Sequence, residues 1–334
     1  MKISIGIDVS MDSLDVAFPN KGKTFSVKKY SNDKSGISKL VDALSQAKPD
    51  AVVMEATGSY HFKLAYALFK EGFPVSVVNP LSIKRYSQSK LCRAKTDQID
   101  AQHIAEYGMQ NDLPLFEPRN EQEETLRILL NTRGSLMKDI TRYKNRILAA
   151  NRCPFNQSSL NNGLTNIINS VKAEIINIDQ RINNIITESS TENVKLLEQI
   201  PGIGRITQAL FLGPLGGLKK FEDYRQVIAF LGLNPSVKES GKSVRGSGVI
   251  SRMGNSYYRS LLYMAALSAK RYNKPCSDFY ERLLARGKCK KKALVAVANK
   301  LIKQIFSILK YQRNFDPNFS IKLREKLAFQ DSLY

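Results

Sequence analysis

Three short β-rich runs, Ile3 to Val9, Leu14 to Phe18 and Thr24 to Tyr30, follow one another at the start of the chain with space only for hairpin turns between them. Helical and strand patterns then alternate through Lys34 to Ala47, Ala51 to Glu55, Phe62 to Glu71 and Pro74 to Val78. The resulting order, βββαβαβ, describes hairpin-joined strands followed by αβ units. It fits a doubly wound sheet less well, because there helices would separate the strands from the beginning.

An RNase H-like domain has this order, and residues 1–112 are expected to form one. After Leu81 the pattern is helical to about Gly108, and Pro114 and Pro118 break the chain before a new helix near Glu121. Leu164, Ile168, Val171, Ile175, Ile178, Ile182 and Ile185 recur at spacings of four and three, which is a heptad seam. Leu129, Leu136, Ile140, Tyr143 and Ile147 have compatible spacing in the helix before it, with Arg133 interrupting. Two long helices joined around Cys153 to Gly163 predict an antiparallel coiled-coil hairpin or oligomerisation arm over 120–192. Pro201-Gly202-Ile203-Gly204 lies between two apolar helical stretches and resembles a helix-hairpin-helix turn. In such a turn Gly202 and Gly204 let the backbone bend tightly, so that amide N–H groups and Arg205 can meet a DNA phosphate. A mainly α domain is expected over 193–312, followed by a polar tail at 313–334.

The formal net charge is +21 over 334 residues, and a polyanionic partner is the commonest cause of such an excess. Residues 1–110 carry 15 Lys and Arg against 11 Asp and Glu, whereas residues 201–310 carry 21 against 5. Phosphate contacts are therefore expected mostly in the C-terminal third, where Arg259 and the run Lys290-Lys291-Lys292 are assigned to nucleic acid by charge and neighbourhood. There is no long apolar run and no signal-peptide pattern, so the expected location is the cytosol, with no membrane partner. Four dispersed cysteines and two histidines give neither a zinc site nor a disulfide framework.

In so basic a chain, four acids stand out. Asp8 ends the first strand, Glu55 ends the strand AVVMEA, and Asp97 and Asp100 in KTDQIDA share a helix face through their spacing of three. Phosphodiester chemistry uses such a set, because two Mg²⁺ ions roughly 4 Å apart stabilise both the attacking and the leaving oxygen, and hard cations prefer carboxylate oxygens. The plainer reading makes Asp97 a helix N-cap and Asp100 its first-turn dipole partner. The opening GIDVS also suits sugar kinases and actin-like ATPases, but the chain has no glycine-rich adenosine loop of the kind those need.

Residues 228–262 hold five glycines and many hydroxyls and cations. Ser240-Gly241-Lys242 offers a nucleophile on a loop whose glycine permits close approach to a substrate backbone, with Lys242, Arg245 and Arg252 near enough in sequence to hold phosphate charge. By spacing alone Ser240, Ser243, Ser247 and Ser251 are nearly equivalent, and an ordinary basic DNA-contacting loop would look much the same.

Taken together, GIDVSMDSLDVAF, VVMEATGSYH, KTDQIDAQHIA, LLEQIPGIGRITQALFL, FEDYRQVIAFLGLNP, ESGKS and MGNSYYRSLLYMAAL resemble the transposases of insertion-sequence family 110, which include Piv-like DNA invertases. The resemblance spans nearly the whole chain. It implies a RuvC-like N-terminal domain carrying the family's Asp, Glu, Asp, Asp set at Asp8, Glu55, Asp97 and Asp100, with Mg²⁺ as cofactor. It also implies a serine nucleophile at Ser240. Here Glu239-Ser240-Gly241-Lys242 stands where the family often has two serines and two glycines, which keeps Ser243 as a fallback. The implied chemistry is DNA recombination through a covalent phosphoserine. Its implied partners are donor and target DNA, a structured bridge RNA that pairs with both, and further copies of the chain in a dimer or tetramer. Two alternatives remain open: a RuvC-like nuclease or junction resolvase without serine chemistry, and a non-enzymatic architectural nucleic-acid-binding protein.

Overall fold

The computed structural model describes residues 2–20, 24–90, 96–155, 157–189, 191–236, 239–240, 244–245, 249–251 and 253–319. The chain divides into two compact units, Met1–Pro118 and Arg119–Tyr334.

The first unit contains β1 (Ser4–Val9), β2 (Ser13–Pro19), β3 (Phe25–Ser31), α1 (Lys34–Ala47), β4 (Ala51–Glu55), α2 (His61–Lys70), β5 (Val75–Val78), α3 (Pro80–Ser89) and α4 (Asp97–Gln110). Its sheet runs β3-β2-β1-β4-β5. β2 lies antiparallel between β1 and β3, and β4 runs parallel to both β1 and β5. The βββαβαβ order read from the sequence is thus present as a mixed, RNase H-like sheet. Alternation along β1 sorts its side chains onto two faces. Ile5, Ile7 and Val9 join Leu40 and Leu44 of α1 and Leu64 and Leu68 of α2 in one core. Ser4, Gly6 and Asp8 point the other way, toward α4. The unit extends past residue 112 because the chain after α4 returns along β5, where the Phe116 N–H donates to the Val75 carbonyl at 2.7 Å.

The second unit is mainly helical: α5 (Glu121–Ala150), α6 (Ser158–Ser189), α7 (Glu192–Glu198), α8 (Arg205–Leu212), a 3-10 turn at Gly216–Leu218, α9 (Tyr224–Leu231), α10 (Ser256–Tyr272), α11 (Lys274–Ala285) and α12 (Lys290–Tyr311). Asn120 caps α5 by accepting from the Glu123 N–H at 2.7 Å, and Glu121, Glu123 and Glu124 fill its first turn, where the helix dipole favours negative charge. α5 and α6 pack antiparallel. Asn161 Nδ2 donates to Asn151 Oδ1 at 2.7 Å beside their connection, and Ile140 meets Ile168 and Ile175 further along. Near the base, Arg133 donates through Nε and Nη2 to both carboxylate oxygens of Asp179, at 2.6 and 3.0 Å. That base is not set apart from the C-terminal helices: Leu126, Leu130, Ile178 and Ile182 share one core with Phe211, Leu262 and Leu301.

Between α9 and α10 the sequence suggested only a flexible loop. Four two-residue strands stand there, β6 (Pro235–Ser236), β7 (Glu239–Ser240), β8 (Val244–Arg245) and β9 (Val249–Ile250), paired β6 with β9 and β7 with β8. Strands this short leave no readable alternation. Of the expected polar tail, residues 320–334 lie outside the described residues, as does Cys92. No described helix is long and apolar enough to cross a membrane.

A Cβ built on Gly6 would stand 2.2 Å from the Ala101 carbonyl oxygen and 2.3 Å from the Ala105 nitrogen, both backbone atoms that cannot rotate away. Gly6→Ala is therefore expected to cost at least 1–3 kcal/mol, roughly the usual penalty of overpacking, in a urea unfolding midpoint. Gly163→Ala is the control, since nothing stands within 4 Å of that helical glycine. It should gain about 0.5–1 kcal/mol from reduced chain entropy.

Candidate active site

The face of β1 that carries Asp8 is lined by small residues, and this determines where α4 lies. A Cβ on Gly108 would reach the Ser4 hydroxyl at 2.3 Å, and Gly6 touches the backbone at Ala101 and Ala105. The helix therefore runs antiparallel to the strand, almost backbone to backbone. Going from Gly6 to Asp8 advances about 6.6 Å, or about four helical residues, so the contact point moves from Ala101 and Ala105 back into the first turn of α4. Asp97 and Asp100 stand in that turn. The N-cap is Thr96, whose side chain accepts from the Ile99 N–H at 3.3 Å, so neither aspartate is the capping residue. Glu55 follows Val53 by two positions and shares its face, where Val53 packs on Ile104 of α4. Ile7 and Met54 are paired neighbours one residue before Asp8 and Glu55.

The four acids meet electrostatically. The Asp8 carboxyl is pushed up to about 6, first by burial and then by the charges of Asp100, Asp97, Glu55 and Asp15. Asp15 was not singled out in the sequence. It is the register partner of Asp8 across the β1–β2 hairpin and is only 5% exposed, with Lys29 Nζ 3.7 Å from its carboxylate. Its signal lies in the turn: a four-residue connection between Val9 and Leu14 sets 8 opposite 15. Asp15, Lys29, Thr96 and Asp97 line a cleft of about 410 Å³ beside this edge. The donor set fits a hard divalent cation in kind, being several carboxylates with unbalanced charge. It is not drawn into a finished cage, since among the described residues no three of the His, Cys, Asp and Glu side chains group closely enough to hold an ion.

The remaining candidates lie in the second unit. Ser240 is described through its backbone, in register with Val244, and the same holds for Arg245 in β8. Lys242, Ser243, Ser247 and Arg252 lie outside the described residues. The Ser251 hydroxyl donates to Asn234 Oδ1 at 2.7 Å. Gly202 turns between α7 and α8 at φ +97°, and a Cβ there would stand 2.6 Å from the Ala269 backbone, so close packing on α10 demands glycine as much as the turn does. Gly204 has open space around it. Arg205 Nη1 donates to Glu198 Oε1 at 2.5 Å and to Gln208 Oε1 at 3.1 Å. Lys290, Lys291 and Lys292 form the exposed first turn of α12. Arg259, assigned to nucleic acid by charge, has its Nη1 on three backbone carbonyls.

Because the fold raises the Asp8 pKa, the folded state is penalised fully above about pH 6, and the penalty fades as pH falls toward the ordinary carboxylate range. Without divalent cations, Asp8→Asn is expected to stabilise the protein by about 1–2 kcal/mol near pH 7, a value discounted for the partial exposure of the group. The advantage should shrink steadily between about pH 6 and 4, as read from urea midpoints. A pH-independent difference would show that the charges do not meet.

Residues 5–150 match the family model of DEDD transposases of insertion sequence IS110, and residues 194–281 match the model described as Transposase IS116/IS110/IS902 family. The pilin gene-inverting protein of Moraxella bovis is 28% identical over 94% of this chain and 98% of its own length. The transposase for insertion sequence element IS1111A of Coxiella burnetii is 26% identical over 93% of this chain and 90% of its own. RuvC of T. thermophilus, solved with a Holliday junction substrate, aligns with 34% of this chain and 100% of that one at 15% identity and TM-score 0.27, a likeness too slight to build on. With one family matched in both halves and in chain order, the protein belongs to the IS110 family of transposases, enzymes that recombine DNA.

Proposed function

We propose that this transposase exchanges DNA strands through a magnesium-dependent carboxylate site and a covalent serine intermediate. What supports the reading is that Asp8 and Glu55 end adjacent parallel strands while Asp97 and Asp100 fill the first turn of the helix packed on β1, with the Asp8 carboxyl raised to about 6 by burial and by the charges of the other three. Asp8, Glu55, Asp97 and Asp100 are the residues that would hold Mg²⁺, which would supply positive charge to the phosphodiester chemistry. Ser240 Oγ attacks phosphorus: a new O–P bond forms, the P–O bond to one deoxyribose oxygen breaks, and that oxygen takes up a proton. The strand is then held as a phosphoserine. Attack by the hydroxyl of a second strand forms a new phosphodiester, breaks the Oγ–P bond and returns a proton to the serine, so the exchange is completed without an external energy source. Lys242, Arg245 and Arg252 beside the serine, the Gly202–Arg205 turn acting as a helix-hairpin-helix, and Lys290 to Lys292 hold backbone phosphates.

Sequence choice belongs, in this reading, to a structured bridge RNA that pairs with donor and target DNA. Two features support this: the charge excess of the C-terminal third and a chain without a recognisable base-reading module. Exchange at two sites requires several copies, and α5 and α6, paired as a coiled coil, are suited to join them in a dimer or tetramer. Leu148, Leu160, Ile167 and Ile176 are exposed on these helices. The expected place of action is the nucleoid.

The test combines purified protein, Mg²⁺, RNA transcribed from the flanking noncoding sequence, and labelled donor and target DNA. Wild type should give a covalent protein–DNA adduct that Ser240→Ala lacks and that omission of RNA abolishes. Asp8→Asn should lower DNA cleavage by about a hundredfold or more, in line with losing charge stabilisation of the transition state. Cleavage that is equal in the Ser240→Ala protein and free of adduct would make the enzyme a water-using nuclease instead.

A further inference from the structure

The loop that carries Ser240 leaves α9 and returns to α10, and the described residues at its two ends form a closed neck. At the outer level, Pro235 pairs with Ile250, and the Ser251 N–H donates to the Asn234 carbonyl at 2.9 Å. At the inner level the two backbones touch. A Cβ on Gly232 would stand 1.9 Å from the Met253 carbonyl oxygen, and one on Gly254 would stand 2.4 Å from that of Phe230. Both glycines also hold positive φ, +69° and +94°, so no other residue satisfies conformation and contact together.

Arg259 bridges this inner level. Its Nη1 donates to the Leu231 carbonyl at 3.2 Å at the incoming end of the loop, and to the Met253 and Gly254 carbonyls at 3.3 and 3.2 Å at the outgoing end. These carbonyls end a helix or sit in a turn, where no helical N–H is available to them. The helix that carries Arg259 is itself anchored. Asn131 Oδ1 on α5 accepts from the Tyr258 hydroxyl at 2.7 Å and from Asn255 Nδ2 at 3.3 Å, and Arg133 Nη1 donates to the Tyr257 hydroxyl at 2.7 Å. Gly134 leaves room for the Tyr257 ring, which a Cβ would approach to 2.7 Å. Arg259 thus reaches from a fixed helix turn to both ends of the loop.

We infer that Arg259 is a positioning residue for strand exchange: its guanidinium ties the two ends of the serine loop together and sets the loop's point of departure, and it does not serve as a phosphate contact. The inference rests on the serine reading proposed above. Small errors at the base of a loop grow along it, and a displacement of about 1 Å at a reacting atom costs on the order of a hundredfold in rate.

The experiment compares wild type, Arg259→Gln and Asn234→Ala for DNA affinity at several salt concentrations, for the rates of adduct and of recombinant product, and for hydrogen exchange at 231–235 and 249–255. Asn234→Ala removes the bond from the Ser251 hydroxyl to Asn234 Oδ1, and so loosens the same neck without removing a cation. Both variants should keep wild-type affinity and salt dependence, lose at least tenfold in product and adduct rate, and exchange faster at both ends of the loop. Arg259→Lys, which keeps ammonium donors for the carbonyls, should recover part of the rate. The inference is overturned if Arg259→Gln weakens binding and lowers the salt slope by about 1 while bound DNA reacts at the normal rate, which is the signature of a phosphate contact. It is equally overturned if exchange at the neck is unchanged. Should wild type recombine DNA without any adduct, the serine reading fails, and the neck is then judged on product rate and exchange.

Discussion

The first unit depends on one close approach, that of α4 to β1. Helices usually pack on sheets through a layer of interdigitating side chains. Here Gly6 and Gly108 remove that layer, and the helix backbone lies against the strand backbone. The stacking removes slack: a helix seated this closely can neither roll nor slide without backbone collision, so its first turn has one position relative to the end of β1. Like charges brought together at that position oppose folding, and the apolar core on the opposite face, built from Ile5, Ile7, Leu40 and Leu68, offsets them.

Much of this was legible in the sequence because it depends on period and order. Period-2 runs gave the strands, period-3.6 runs the helices, and the succession of three strands before the first helix favoured an RNase H-like sheet over a doubly wound one. Asp8 and Glu55 were visible as acids at strand ends, and Asp97 and Asp100 as acids one helical turn apart. Asp15 was hidden because facing across a hairpin depends on turn length, and the Ser10–Ser13 turn carries no Gly or Pro to announce its type. Thr96 as the cap, in place of Asp97, was hidden for a related reason: both residue types cap helices well, and one position decides between them.

In the second unit, the fold itself engages part of the basic surplus. Arg259 and Arg205 belong to the same basic surplus as Lys290, yet their guanidinium groups lie on carbonyls and on Glu198 while the lysines are exposed. A net charge counts cations without saying which of them the fold already occupies. Gly202 shows the same limit, since the sequence displayed a turn residue and the structure adds a packing partner in Ala269.

Arg133, the residue that interrupts the seam of α5, has a consequence for how the two long helices find each other. A run of isoleucines at spacings of three and four is nearly unchanged by sliding one helix past the other by a heptad, so apolar burial alone leaves several alignments close in energy. The bidentate bond from Arg133 to Asp179, with Tyr257 on the remaining nitrogen, exists in only one of them. Every other alignment would leave a half-buried guanidinium and carboxylate unmatched, which costs several kcal/mol. The polar residue that weakens the stripe is thus the one that fixes its register.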